Sequence, residues 1–189
     1  RRWAEKGYEP GTYYDGYSYF FSMEKLIKNV HSISFTTFGA PTRSARAAYS
    51  TREMQTLANN RFYNPAWGYQ NGQIRNANET RTFIPVFILT YEGKFSPKTN
   101  LIASGSYQFG TNKYSGLDWY NAQNPAPDYY KNLPSLIDDT EASAEAKAYL
   151  QAHPEALQIQ WDRLYDINRN VNDSVINANG SGQTVHGKW

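Results

Sequence analysis

The chain has 189 residues, enough for one domain of ordinary size. Its 19 basic and 17 acidic residues nearly balance, and no Lys or Arg run appears beyond Arg1-Arg2. That argues against nucleic acid as the main partner, because phosphate binding needs a clustered basic surface. The absence of cysteine excludes disulfides and thiolate metal sites, and there is no apolar run of about 18 residues to make a membrane-spanning helix.

Aromatic residues are abundant: 16 Tyr, nine Phe and five Trp make 16% of the chain. Aliphatic content is poor and the mean hydropathy is −0.74. A soluble globule usually fills its core with Leu, Ile and Val. Rings combined with many Asn, Gln, Ser, Thr and Gly suit carbohydrate-binding β-proteins, or barrels with aromatic girdles and a polar lumen. The sequence starts at "RRWAEKGYEPG" without Met and is expected to be a section of something longer.

Taken in chain order, "TYYDGYSYFFSME" (12–24) is the first expected strand. Tyr17, Tyr19, Phe21 and Met23 alternate with Gly16, Ser18 and Ser22, and Phe20 breaks the pattern. "KLIKNV" then makes a short turn, and "HSISFTTFG" (31–39) is the second strand, with Ile33 and Phe35 on one side and Ser32, Ser34 and Thr36 on the other. A long connection covers 40–81. It holds "STREMQTLANN", where Ser50 is expected to cap a short helix and Glu53 to complete a capping box. The third strand, "TFIPVFILTYEG" (82–93), is apolar on both faces at its centre, and Pro85 marks an end or an edge. After the short turn "KFSPKT" comes "NLIASGSYQFGTN" (100–112), in which Leu101, Ala103, Tyr107 and Phe109 alternate with Ser104, Ser106 and Gln108.

The second long connection, 113–189, reads as helix across 141–168, with a restart at Pro154. Asp138, Asp139 and Glu141 cluster just before that helix, where carboxylates favour capping and the helix dipole. The tail "NANGSGQTVHGK" reads as flexible or a loop tip. The rhythm is strand, short turn, strand, long loop, twice over. Outer-membrane barrels have short periplasmic turns, long extracellular loops and crossing strands of about 9–11 residues.

Catalytic chemistry is not legible. His31, His153 and His186 are scattered without metal-ligand spacing, and no nucleophile elbow, P-loop, zinc-protease or dinucleotide fingerprint occurs. No enzyme activity, catalytic residue, metal site or cofactor is expected. The ligand-binding candidates are the rings of the long connections: Trp67, Tyr69, Trp119, Tyr120, Tyr129 and Tyr130. They could stack on a ligand. The favoured reading is that they pack the loops into a cap, stiffened by Pro65, Pro125, Pro127 and Pro134, because loops this long must bury something to stay ordered.

Five blocks carry a family resemblance: "HSISFTTFGAPTRSAR", "FYNPAWGYQNGQIRN", "FIPVFILTYEGKFSPKTNL", "SGLDWYNAQNPAPDYYKNLPS" and "IQWDRLYDINRN". They resemble the barrel region of TonB-dependent outer-membrane receptors of Bacteroidota-type bacteria, over most of residues 12–170. The most specific are "NPAWGYQNG" and "LDWYNAQNPAPDYYKNLPS", which look like extracellular-loop signatures. The resemblance implies a mainly β fold: antiparallel strands forming part of a transmembrane outer-membrane β-barrel, with long extracellular loops containing short helices. It implies a complete barrel of about 22 strands around a plug, uptake of a nutrient too large for porins, and location in the bacterial outer membrane. The implied partners are outer-membrane lipid, the imported ligand and the TonB complex, engaged through a plug that this chain does not contain. A surface lipoprotein is left open as a further partner.

Four strands cannot close a barrel, and an open sheet in lipid leaves edge amides unpaired at several kcal/mol each. The chain is therefore expected to be one section, 1–189, of such a receptor. On that reading Tyr17, Tyr19, Phe21, Leu101, Ala103, Tyr107 and Phe109 face lipid, while Ser18, Ser22, Ser104, Ser106 and Gln108 face the lumen. The helical 141–168 segment would lie outside the membrane. The alternative is a soluble glycan-binding β-domain using Trp and Tyr stacking. A glycoside hydrolase fragment is a third reading, which nothing in the sequence supports.

Overall fold

Period-two alternation dictates the sheet with the longest strands, and the computed structural model contains it. The structure describes residues 1–4, 7–119 and 122–170, with the strands 172–176 and 182–186. In chain order the strands are β1 (Arg2–Ala4), β2 (Tyr13–Gly16), β3 (Tyr19–Ile27), β4 (His31–Gly39), β5 (Thr42–Ala45), β6 (Trp67–Gln70), β7 (Gln73–Asn76), β8 (Glu79–Phe83), β9 (Val86–Ser96), β10 (Thr99–Gln108), β11 (Thr111–Tyr114), β12 (Asn172–Ile176) and β13 (Gly182–His186). The helices are α1 (Arg52–Leu57), α2 (Thr140–Ala152) and α3 (Trp161–Asn170). The fold is mainly antiparallel β.

The chain divides into two compact units. The first comprises Arg1–Ala4, Tyr14–Ser44 and Thr80–Tyr114; the second comprises Glu5–Tyr13, Ala45–Glu79 and Ser115–Trp189. The first unit contains a four-stranded sheet in the order β10-β9-β4-β3. Its two hairpins are tight. Lys28 and Asn29 have φ of 51° and 55°, and Val30 N–H returns to Ile27 carbonyl, as a type I′ turn requires. Between β9 and β10 only Pro97 and Lys98 intervene.

Register sorts the side chains. Met23, Phe35, Leu89 and Gly105 form one cross-strand row, and Phe21, Thr37, Phe87 and Tyr107 the next. Facing residues in an antiparallel ladder point to the same side. Tyr19, Phe21, Leu101, Ala103 and Tyr107 therefore share one face. Phe109 joins them, its ring 5.6 Å from those of Phe87 and Tyr107. Ser22, Ser104, Ser106 and Gln108 take the other, where hydroxyls pair across strands: Ser22 with Thr36 at 2.8 Å and Thr90 with Ser104 at 2.9 Å. Phe20 lies on this polar face opposite Phe38. The alternation inferred from sequence thus holds within the strands, while Tyr17 and Ser18 fall in the break between β2 and β3.

The boundaries differ in instructive ways. The expected strand 12–24 is two strands, broken at Tyr17–Ser18, and the second runs on to Ile27. The span 31–39 is β4 as expected. Pro85 does end a strand, so 82–93 divides into β8 and β9, and 100–112 divides into β10 and β11. The upper segments form part of a second sheet, β1-β2-β5-β8-β11. Its strands of three to five residues, like the four-residue strands of the separate β6–β7 hairpin, are too short to show alternation, so β5 to β8 were not legible inside the 40–81 connection.

The second unit holds the helices. Thr51, not Ser50, caps α1, its hydroxyl accepting from Met54 N–H at 3.2 Å. Glu53 closes no capping box; its carboxylate accepts from the Ser135 backbone N–H at 2.9 Å and from the Ser135 hydroxyl. Residues 141–168 are mainly helical, as the sequence indicates: α2 capped by Asp139, a 3₁₀ turn at Pro154–Leu157, then α3. Within the tail, Gly182–His186 is a strand paired antiparallel with Asn172–Ile176 and not a loop tip; residues 177–181 and 187–189 lie outside the described residues.

Packing in this unit has two centres. Met54, Leu57, Tyr63, Leu133 and Leu157 form one cluster; Ala77, Ile159, Trp161 and Leu164 form the other.

Candidate ligand-facing surface

The block "NPAWGYQNG" builds a hairpin whose parts are locked. Asn64 is fully buried. Its side-chain oxygen accepts from Ala48 N–H and Ala66 N–H, both at 3.0 Å, and its amide nitrogen donates to Pro10 carbonyl at 2.8 Å. Asn76 does similar work across the hairpin, donating to the Gly11 and Arg46 carbonyls at 2.9 and 3.1 Å. The tip, Asn71-Gly72, has φ of 48° and 73°, again a type I′ pair. Asn71 N–H donates to the Asp162 carboxylate at 3.0 Å, and Ile159 N–H to Trp67 carbonyl at 2.9 Å.

Trp67 lies against Gly11, where an added Cβ would sit 2.2 Å from the indole Cγ and where φ is already +74°. The two observations together reserve this position for glycine. Trp67 is thus part of the scaffold, edge-on to Tyr69 with ring centres 5.4 Å apart. Tyr69 is exposed over about half its surface (48%).

Within the Pro- and Tyr-rich stretch, residues 122–135 form a strap, not a linker. Asn124 makes an Asx turn to Ala126 N–H at 2.9 Å. Short 3₁₀ turns follow at Tyr130–Asn132 and Pro134–Leu136, and between them Leu133 enters the first core cluster. Tyr129 and Tyr130 pack edge-on at 4.9 Å, with Tyr130 exposed. Trp119 is also exposed. Tyr120 lies outside the described residues. The structure therefore brings Trp67 to Tyr69 and Tyr129 to Tyr130, and no ring contact joins these pairs or Trp119 among the described residues.

A feature that sequence reasoning missed is centred on Arg75. Its guanidinium lies 4.1 Å from the Trp161 ring centre and 5.2 Å from that of Tyr165, and it donates to Gln70 at 2.6 Å and to the Tyr165 hydroxyl at 2.8 Å. That contact holds the Tyr165 phenol below its usual pKa. The i, i+4 spacing of Trp161 and Tyr165 on a helix was the available signal. Nearby in sequence to Asn76, a polar hollow of about 630 Å³ is lined by Arg46, Tyr49, Asn78 and Ser115, among others. None of the five described candidate rings lines it.

Titration behaviour follows packing. Burial, helped by the Asp128 carboxylate, pushes the Tyr63 phenol well above its ordinary value; its hydroxyl donates to Leu157 carbonyl at 2.8 Å. Burial also raises the Asp128 carboxyl. His153 meets Glu155 at 2.9 Å and His31 meets Tyr91 at 2.8 Å. No family model matches this chain, and neither a curated protein nor a solved structure matches it.

Proposed function

We propose that this chain is a section of the wall and outer loops of a TonB-dependent outer-membrane receptor, which imports a nutrient too large for porins. The observation that carries this is the four-stranded sheet. Its strands are 9, 9, 11 and 10 residues long, the length that crossing strands need. A nine-residue strand is about 30 Å long and, tilted by about 40°, spans about 23 Å of bilayer. One face is mostly apolar and exposed, interrupted by Lys25 and Thr37: Phe21, Met23, Leu89, Leu101 and Tyr107 are all open to the surroundings. Along it Tyr19, Phe87, Tyr107 and Phe109 cluster at one end, which suits an interfacial girdle, while Tyr91 lies mid-strand and Phe95 near the other end. The opposite face is richer in polar groups, with Ser22, Glu24, Ser34, Thr36, Thr90, Ser104 and Gln108 on it, as a lumen favours, although Phe20, Leu26, Phe38 and Ile102 also lie there.

Both sheet edges support the same reading. Among the described residues β3 pairs only with β4 and β10 only with β9 in this sheet. An edge this long is an association hazard in water and is intolerable in lipid, and neighbouring barrel strands would satisfy both edges. The second unit, reached from the end of the sheet opposite the two tight turns, is then the extracellular part. Tyr69, Trp119 and Tyr130 are its candidate ligand contacts; Trp67 packs against Tyr69 and Tyr129 against Tyr130.

The test is fractionation of bacterial envelopes followed by intact mass of the native protein. The expected result is a detergent-requiring outer-membrane species far heavier than the 21.6 kDa of this chain. A stable soluble species of that mass would overturn the reading and favour the glycan-binding alternative.

A further inference from the structure

We propose that Arg43, Arg81 and Lys113 bind the phosphate groups of outer-leaflet lipid headgroups, an inference that rests on the barrel reading above. All three side chains are exposed. They line one open hollow of about 330 Å³ together with Asp15, Tyr17 and Phe83. Lys113 lies directly opposite Arg81 in the β8–β11 ladder. Like charges facing each other destabilise a sheet unless an anion lies between them. The carboxylate in the hollow, Asp15, is held by Nε and Nη2 of Arg1 at 3.1 Å and also feels the charge of Arg43, so one carboxylate serves several cations. Arg43 and Arg81 also interact within the chain. A guanidinium has five N–H donors, enough for a protein neighbour and an external anion together.

Position selects the anion. In the β8–β11 ladder Phe83 faces Thr111, and Arg81 and Lys113 lie two residues further on, so all four share a side. The β9–β10 ladder ends at Val86 opposite Gln108, and two residues on each strand separate it from Phe83 opposite Thr111. The register therefore continues from one ladder to the next. The cations stand just beyond the Tyr107, Phe109 and Phe87 rings, on the lipid-facing side. The tight turns are at the far end, which places the cations at the external surface. A ligand matched to this arrangement has acyl chains beside an aromatic band and phosphate immediately above it. Free phosphate has no use for the band. Arg forks and a Lys point charge both suit phosphate.

The test uses the native full-length protein in neutral detergent, with lipid A as the phosphorylated probe, phosphatidylcholine as the neutral one and inorganic phosphate as competitor. Wild-type protein is expected to bind lipid A selectively, with affinity falling as salt rises. The triple variant R43Q/R81Q/K113Q is expected to lose roughly a hundredfold in lipid A affinity, with phosphatidylcholine retention unchanged. A triple variant within about twofold of wild type overturns the site. So does wild-type binding that is insensitive to salt, a measurement that needs no variant to fold. Displacement of lipid A by millimolar inorganic phosphate overturns the headgroup assignment in favour of the free ion. A protein that needs no detergent refutes the barrel reading itself, whereas a detergent-requiring protein without lipid A selectivity refutes this site alone.

Discussion

The two units solve the problem of apolar surface in opposite ways. Every buried hydrophobic residue of the described chain, from Ala45 and Met54 to Trp161 and Leu164, belongs to the second unit. The first unit has none, yet Phe20, Phe21, Met23, Leu89, Ile102 and Tyr107 are each at least half exposed there. One unit obeys the rule of a water-soluble globule, with apolar residues inside and polar groups paired. The other presents apolar residues outward along a sheet whose two sides differ in polarity. A single composition hides both behaviours, because averaging them yields a chain that is neither typically soluble nor typically membrane-like.

The contrast can be broken by substitution. Trp161→Ala is expected to have the largest effect, about 3–5 kcal/mol, because it empties the second core cluster and removes the ring under Arg75. Chemical unfolding followed through the second unit measures it, and a loss below about 1 kcal/mol would mean that this cluster is not a core. Leu89→Arg should cost about 2–4 kcal/mol in bilayer-reconstituted protein, although Leu89 is 56% exposed. Ser104→Arg, on the opposite face, should cost little. Equal costs for the two would erase the distinction between the faces.

Asn64→Ala strips partners from two N–H groups and a carbonyl, and is expected to cost about 1–3 kcal/mol. Differential scanning calorimetry would read it as a lower Tm without loss of the sheet's circular dichroism. The smallest effect concerns Asp128. Its carboxyl is raised by burial, so the folded state holds that proton more tightly than the unfolded chain does. Stability therefore falls as pH rises from the ordinary carboxylate value through the raised one, then levels off. Asp128→Asn should flatten that segment of the Tm–pH curve and raise Tm above it. An unchanged curve would show that Asp128 is not confined as described.

How much of this was readable from the sequence depends on whether a signal is local. The β4 strand, the face of Phe21 and Tyr107, the two tight turns and the helical 141–168 span all rest on patterns within about a dozen residues. Lys28-Asn29 is a less familiar type I′ pair than Asn-Gly, yet its position between alternating runs gave the turn away. Glu53 shows the limit. Its spacing from Ser50 fitted a capping box, but Ser135, 82 residues away, claims the carboxylate. The six candidate rings were chosen for their location in long connections. Only tertiary contacts separate Trp67, pressed onto Gly11, from exposed Tyr130. Likewise nothing local links Arg75 to Trp161, or Arg43 to Lys113.

The interleaving of the two units also fixes an order of assembly. The β4–β9 pairing must close a loop that contains the whole 46–78 segment. That segment cannot complete its own packing early, because Met54 and Tyr63 await Leu133 and Leu157, and Ala77 awaits Ile159 and Trp161. Those partners leave the ribosome after β10. The hairpins β3–β4 and β9–β10 are local and can form within microseconds, but both clusters of the second unit are completed later, by the stretch from Leu133 to Leu164. A truncation before Leu133 would leave the sheet's sequence complete and the second unit without either core. It should therefore accumulate as an aggregation-prone intermediate, not as a smaller folded protein.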